Sequence, residues 1–449
     1  MTSRCAAFLL VLALAACGQG TPPSFEGATG SAQLPSALVK FPKIHHVVII
    51  YQENRTVDNL FNELPGADTV RSGLNSSGHR VPLRPISLTA PYDLGHLHRS
   101  FTIEYNNGHW NGFDKVGSQC ISVGLCPPGD IRAYGYVPHS EIRPYLTMAT
   151  RYTFGDRMFQ TNQGPSFPAH QYIVSGTSTI DNRLSLRASE NPTTPSNQST
   201  GGCDSPPGSL VVLIDSIGTE VQDVYPCFDR ISLMQLVEAK SLSWRYYQAM
   251  PGPGIWNGPD AILRVRESPT YSANVIAPSS RVLTDIAKGR LADVVWVTPT
   301  ALASDHARVT NGSGPSWVAG VVNAIGESRY WNDTAIFVTW DDWGGWFDHV
   351  VPHLYNSYEL SFRVPLIVIS PYAKKHYVSH RQHEFGSILK FTEEVFGLGS
   401  LHTTDVRSDD LSDCFDFSKP PSKFKHVPAP LPPEYFLRQP LSHVIPDDD

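Results

Sequence analysis

An apolar, β-branched run, Ala335-Ile336-Phe337-Val338-Thr339-Trp340, stops abruptly on Asp341-Asp342-Trp343-Gly344-Gly345-Trp346-Phe347-Asp348-His349. The run predicts a strand buried on both faces, and the residues after it predict a sharp turn. Side chains alternate along a strand, so two neighbouring aspartates stay near one point only where the strand ends. At the carboxyl edge of an open α/β sheet that point is the usual ligand crevice, and two carboxylates there repel unless a cation or proton relieves them. The bland alternative is a solvated turn with an aspartate capping the next element.

A second strand end has the same character. Ile44 to Tyr51 is nearly all apolar and β-branched, and it runs into Gln52-Glu53-Asn54-Arg55-Thr56. Glu53 and Asn54 place a carboxylate and an amide oxygen at the end of this early strand, which suits a hard divalent cation. Taken alone they would read as a turn with Asn as a helix cap. Further strands are expected at 242–247, 293–297 and 364–370, alternating with helices at 141–152, 166–176, 231–239, 281–288, 317–325 and 385–398. This alternation predicts an α/β fold with a mostly parallel central sheet flanked by helices and carrying loop-rich insertions. At 449 residues and 41% hydrophobic content the chain has enough apolar surface for a large core.

The amino end reads as an export signal: Arg4, an apolar core from Phe8 to Leu14, then Leu14-Ala15-Ala16-Cys17. Its ending resembles a lipobox, so residues 1–17 are expected to be removed up to Cys17 and Cys17 lipidated, with ordinary cleavage nearby as the alternative. The expected product is an exported, periplasmic or cell-envelope lipoprotein, or a secreted protein. Residues 18–38 read as a Gly/Pro/Ser-rich linker, 39–418 as the folded domain with an inserted lobe at about 180–230, and 419–449 as a Pro-rich tail. Cys120, Cys126, Cys203, Cys227 and Cys414 remain beyond the signal. Export favours disulfides, and proximity in sequence pairs Cys120 with Cys126 and Cys203 with Cys227. The formal charge of −7 gives no basic footprint for nucleic acid.

Other candidate chemistry is scattered. Asp93-Leu94-Gly95-His96-Leu97-His98 and His109 supply imidazoles that could line a pocket, His96 first among them. Gly164-Pro165-Ser166 turns into a helix whose amino end would set the Ser166 hydroxyl in positive potential. Gly314-Pro315-Ser316 repeats the pattern, and the pattern alone does not choose between them.

Together, Gln52 to Phe61, the Gly164–His170 turn, Asp305-His306 and Trp340 to His349 resemble the bacterial phosphoesterase family, in family order across roughly residues 40 to 415. That family contains non-specific phospholipases C and respiratory-burst-inhibiting acid phosphatases on an alkaline-phosphatase-like α/β fold. The resemblance implies one divalent metal ion, of unspecified identity, held by Glu53, Asn54, Asp341, Asp342 and Ser166, with Ser166 also the nucleophile. It implies catalytic roles for His306, His96 and His349, and a small phosphorylated substrate or a phospholipid. Ser166 in place of threonine, Asp341-Asp342 in place of Asp-Glu, and Glu384-Phe385-Gly386-Ser387 in place of Asp-His-Thr-Ser resemble the acid phosphatase branch. The alternatives are phospholipase C action on phospholipid diesters, a metal-free serine esterase, and a non-catalytic lipoprotein that binds phosphorylated ligands.

Overall fold

The computed structural model describes residues 40–442 and 444, apart from 123 and 184. The expected signal, Cys17 and the linker therefore lie outside the described residues. The core is an eight-stranded sheet of β1 (His46–Gln52), β2 (Thr153–Gly155), β3 (Trp244–Tyr247), β4 (Val275–Ile276), β5 (Val294–Val297), β6 (Thr334–Trp340), β7 (Leu366–Ile369) and β8 (Tyr377–Ser379), in the order β4-β3-β5-β1-β6-β7-β2-β8. Only β7 runs against its neighbours, so the mostly parallel sheet expected from the apolar strands is present. β1 and β6 at its centre are buried at nearly every position, because helices cover the sheet.

One group of helices in mutual contact is α3 (Arg143–Arg151), α6 (Arg281–Ala287) and α7 (Gly314–Gly326); another is α4 (Ser166–Ser175), α5 (Leu233–Ala239) and α8 (Phe385–Phe396). Two short helices, α1 (Val57–Leu60) and α2 (His98–Tyr105), follow the segments that carry Glu53 and His96. Among the described residues no helix is long and apolar enough to cross a membrane. Cys120 pairs with Cys126 and Cys203 with Cys227, and Cys414 is a buried free thiol. Within the 180–230 stretch, Arg187–Ala188, Val211–Ile214 and Glu220–Val224 form a separate antiparallel sheet. Its Ala188, Val211 and Leu213 share an apolar cluster with Phe167, the residue after Ser166.

The feature of the fold that matters most is register. β1 and β6 are parallel neighbours with Gln52 opposite Trp340, so Glu53-Asn54 and Asp341-Asp342 leave the sheet side by side. The turn after Asp342 is pinned by two glycines in left-handed backbone, Gly344 at φ 61° and Gly345 at φ 69°. A Cβ on Gly344 would lie 2.5 Å from the Asn54 carbonyl oxygen, and one on Gly345 would lie 2.5 Å from Leu94 Cβ. Trp343, Trp346 and Phe347 then bury into an aromatic cluster with Phe101, Trp110, Phe113 and Phe362 from the loop-rich segments. The long loops thus serve as packing for the carboxylate turn.

Gly344→Ala combines left-handed strain, ~1–2 kcal/mol, with a backbone clash. Gly78, at φ 76°, has open space where a Cβ would be. Denaturant midpoints should show Gly78→Ala losing about 1 kcal/mol and Gly344→Ala clearly more; equal losses would contradict the close approach to Asn54.

Candidate functional site

Left-handed backbone at Asn54, φ 60°, is tolerated by asparagine and turns its N–H back toward β6. That N–H donates to Asp341 Oδ1 at 3.2 Å, and the Asp342 N–H donates to the same oxygen at 2.8 Å. Asp341 Oδ2 is left buried without a partner. Asp342 Oδ1 accepts the Gly344 N–H at 2.7 Å, which holds the second carboxylate beside the first.

Ser166 is the first residue of α4. Its side chain caps nothing; Pro165 is the cap residue. The Ser166 hydroxyl instead lies 3.2 Å from Glu53 Oε2 and 3.3 Å from Asp342 Oδ2, so two carboxylates compete for one proton. One helical turn on, His170 reaches the same place. Tyr246 donates its hydroxyl proton to the Trp256 carbonyl at 2.5 Å, so its oxygen accepts from His170 Nδ1 at 3.2 Å. His170 Nε2 therefore carries a bare lone pair, 3.5 Å from Glu53 Oε1 and 3.8 Å from Asp341 Oδ2. Burial pushes the His170 pKa down to about 4, against the pull of Asp341, so the ring stays neutral.

Four buried atoms here have no hydrogen-bond partner: Glu53 Oε1, Asn54 Oδ1, Asp341 Oδ2 and His170 Nε2. Burial, and then repulsion from Asp341, raise the Glu53 pKa well above its ordinary value. Unpaired buried acceptors facing one another are unfavourable, and a divalent cation is the species that would satisfy all four. Hard oxygens with one neutral imidazole fit such an ion.

The predicted histidines divide. His306 Nδ1 donates to the Ala307 carbonyl at 2.8 Å, and its Nε2 is buried and unpartnered, as a proton donor or acceptor for substrate would be. His96 lies beside it, ring centres 5.8 Å apart, but both its nitrogens are engaged. Its Nδ1 donates to the Leu94 carbonyl at 2.8 Å, so Nε2 accepts from Asn54 Nδ2 at 3.1 Å. That bond fixes the Asn54 amide and leaves its Oδ1 buried without a partner. His96 thus has both ring nitrogens bonded within the protein, one of them to Asn54.

His349 is likewise engaged at both ring nitrogens. Its Nδ1 bonds Asp58 at 2.6 Å and its Nε2 bonds Asp68 at 3.1 Å, in a network where buried Arg363 grips Asp348 through two bonds of 2.8 and 3.0 Å. Of the two Gly-Pro-Ser turns, only the first reaches carboxylates; Ser316 Oγ accepts the Leu431 N–H at 3.3 Å. His98 spends Nδ1 on the Gln163 carbonyl. Asp305, beside His306, accepts from the Tyr145 hydroxyl and the Trp340 indole, and burial pushes its pKa up to about 6. His170 was not among the expected ligands. The signal for it was its spacing: four residues after Ser166 on a helix is the same face, one turn along.

Residues 44–399 match the family model described as the Phosphoesterase family. Phospholipase C B of Mycobacterium tuberculosis is 25% identical over 469 residues, spanning 90% of this chain and 83% of that protein. Non-hemolytic phospholipase C of Pseudomonas aeruginosa is 23% identical over 436 residues, 84% of this chain and 58% of that protein. Among solved structures, a protein in the alkaline phosphatase superfamily from Vibrio parahaemolyticus is 9% identical, with TM-score 0.36 over 82% of this chain and 70% of that one.

The His349 placement predicts a pH effect. Burial opposes the charged ring, but the hydrogen bond and charge of Asp58 and the charge of Asp348 outweigh it and raise the pKa above 6.5. The folded state then holds a proton the unfolded state loses, so this stabilisation is full below pH 6.5 and is lost as pH rises through the raised value. The denaturation midpoint of His349→Gln, measured from about pH 6 to 9, should fall less steeply with pH than that of the wild type. Parallel slopes would contradict the ion pair.

Proposed function

The chain belongs to the phosphoesterase family and is a hydrolase of phosphoric ester bonds, and from that premise we propose that Ser166 is its nucleophile and phosphomonoesters its substrates. The observation that carries this reading is the Ser166 hydroxyl, set between Glu53 and Asp342 and beside four unpartnered ligand-type atoms. Glu53, Asn54, Asp341 and His170 would hold a divalent cation, with Asp342 and Ser166 at its edge. When bound, the cation supplies positive charge that lowers the hydroxyl pKa and neutralises phosphate oxygens.

The rest of the chemistry belongs to the chain. Ser166 Oγ forms the bond to phosphorus as the ester oxygen leaves, and the hydroxyl proton passes to the adjacent carboxylate pair. The α4 amino terminus adds positive potential toward the phosphate. His306 Nε2, when protonated, donates to the departing alkoxide. The same nitrogen then takes a proton from the water that hydrolyses the phosphoserine. His96 keeps the Asn54 amide turned.

Preference for monoesters is supported by Ser166, the Asp341-Asp342 pair and the Glu384-Phe385-Gly386-Ser387 segment, which resemble the acid phosphatase branch. A second reading, phospholipase C, is favoured by relatives of that name that match nearly the whole chain. p-Nitrophenol released from p-nitrophenyl phosphate and bis-p-nitrophenyl phosphate, and phosphocholine released from phosphatidylcholine, distinguish the two. The monoester reading expects the first to have the highest kcat/KM, and faster cleavage of phosphatidylcholine would overturn it.

Ser166→Ala should lower kcat by ~10³-fold or more while costing about 1–3 kcal/mol of stability at most, since the hydroxyl bonds two buried carboxylates but caps no helix. Retained turnover would remove Ser166 from the mechanism. His170→Ala should weaken metal retention ~10–100-fold, read by elemental analysis after dialysis; unchanged metal content would leave His170 outside the ligand set.

A further inference from the structure

A second cluster of ligand-type side chains, sharing no residue with the catalytic group, lies where β8 and the start of α8 meet residues 409–414. His383 is buried, two residues before α8 begins at Phe385. Its Nδ1 bonds Asp409 Oδ1 at 2.9 Å, and Asp409 is itself fixed by the Ser387 hydroxyl at 2.6 Å and the Leu411 N–H at 3.2 Å. A carboxylate that holds one imidazole nitrogen while the other faces further donors is the outer-shell arrangement of metal-bound histidines.

The other face of the ring meets such donors. His383 Nε2 is 3.9 Å from Asp413 Oδ1, the Cys414 sulfur is 3.7 Å from that same oxygen, and the three ligand atoms offered by His383, Asp413 and Cys414 all lie within 4.8 Å of one another. The Ser379 hydroxyl is 3.0 Å from His383 Nε2 and 2.5 Å from Asp413 Oδ2. A tetrahedral zinc site with bonds near 2.0 Å to N or O and 2.3 Å to S has donors roughly 3.3–3.5 Å apart. The His383 Nε2–Asp413 Oδ1 and Cys414 Sγ–Asp413 Oδ1 separations of 3.9 and 3.7 Å lie somewhat above that range, and His383 Nε2 and the Cys414 sulfur are within 4.8 Å of each other. The backbone is already fixed: the Cys414 carbonyl accepts from the Thr153 hydroxyl at 3.0 Å and the Lys374 N–H at 2.9 Å.

We propose that His383, Asp413 and Cys414, with the Ser379 hydroxyl completing the shell, form a structural site for a borderline-soft divalent cation of the zinc class. Imidazole, carboxylate and thiolate together select such an ion over magnesium or calcium, whereas the catalytic group is mostly oxygen. Binding takes the Cys414 proton, and any proton on His383 Nε2, to solvent. It ties the β8 edge of the sheet to α8 and to the chain just before the tail. The competing arrangement is a metal-free network in which His383 Nε2–H donates to Ser379.

Cobalt(II) separates the two, because a thiolate-bound cobalt ion has a near-ultraviolet charge-transfer band that an oxygen-ligated ion lacks. Full-length protein stripped with chelator and titrated with cobalt(II) should develop this band together with the intense visible bands of tetrahedral cobalt. Cys414→Ser should abolish the band while phosphate ester hydrolysis continues. Absence of the band from the wild type at saturating cobalt would overturn the proposal whether or not the variant folds, and so would a band that persists in Cys414→Ser. Failure here leaves the Ser166 reading untouched, since no thiol belongs to that site.

Discussion

The structure depends on keeping several carboxylates out of water and close together. Glu53, Asp341 and Asp342 are fully buried at the ends of two central parallel strands. Each buried charge carries a penalty of several kcal/mol. Part of the burden is met by backbone N–H groups of Asn54, Asp342 and Gly344 and by the Ser166 hydroxyl. The remainder falls on protonation of Glu53 or on a cation. The same concentration of buried negative charge would favour a divalent ion, and it sets the Ser166 hydroxyl beside proton acceptors.

Rigidity around this point follows from how the neighbouring segments are spent. The aromatic residues after Asp342 bury against loops that have little regular structure, and Trp343 donates to buried Glu104 at 2.6 Å. Arg55, next to the ligand Asn54, bonds the Asp305 and Leu88 carbonyls and lies over the Trp346 ring. The Asp58–His349–Asp68–Arg363–Asp348 network fixes the far end of the same turn. Residues that look catalytic by type can therefore be structural by placement, and the side chains left with open valences are the ones available for chemistry.

Much of this was legible in the chain. Unbroken β-branched runs ending on Glu-Asn and Asp-Asp marked the strand ends, because period and burial are local properties. The Gly-Pro-Ser helix start was equally visible: its two copies are equivalent as a pattern, the family resemblance singles out the first, and packing sets Ser166 beside carboxylates. His170 was hidden because an imidazole on a wholly buried helix reads as core. The partners of His349 and His96, Asp58 at a distance of 291 residues and a carbonyl two residues away, cannot be chosen from residue type.

The most direct test is to trap the enzyme with phosphorus-labelled ester in acid and identify the labelled peptide. The account predicts phosphate on the peptide that contains Ser166, lost on addition of water under native conditions. Label on a histidine, or turnover with no covalent label on rapid quench, would contradict it.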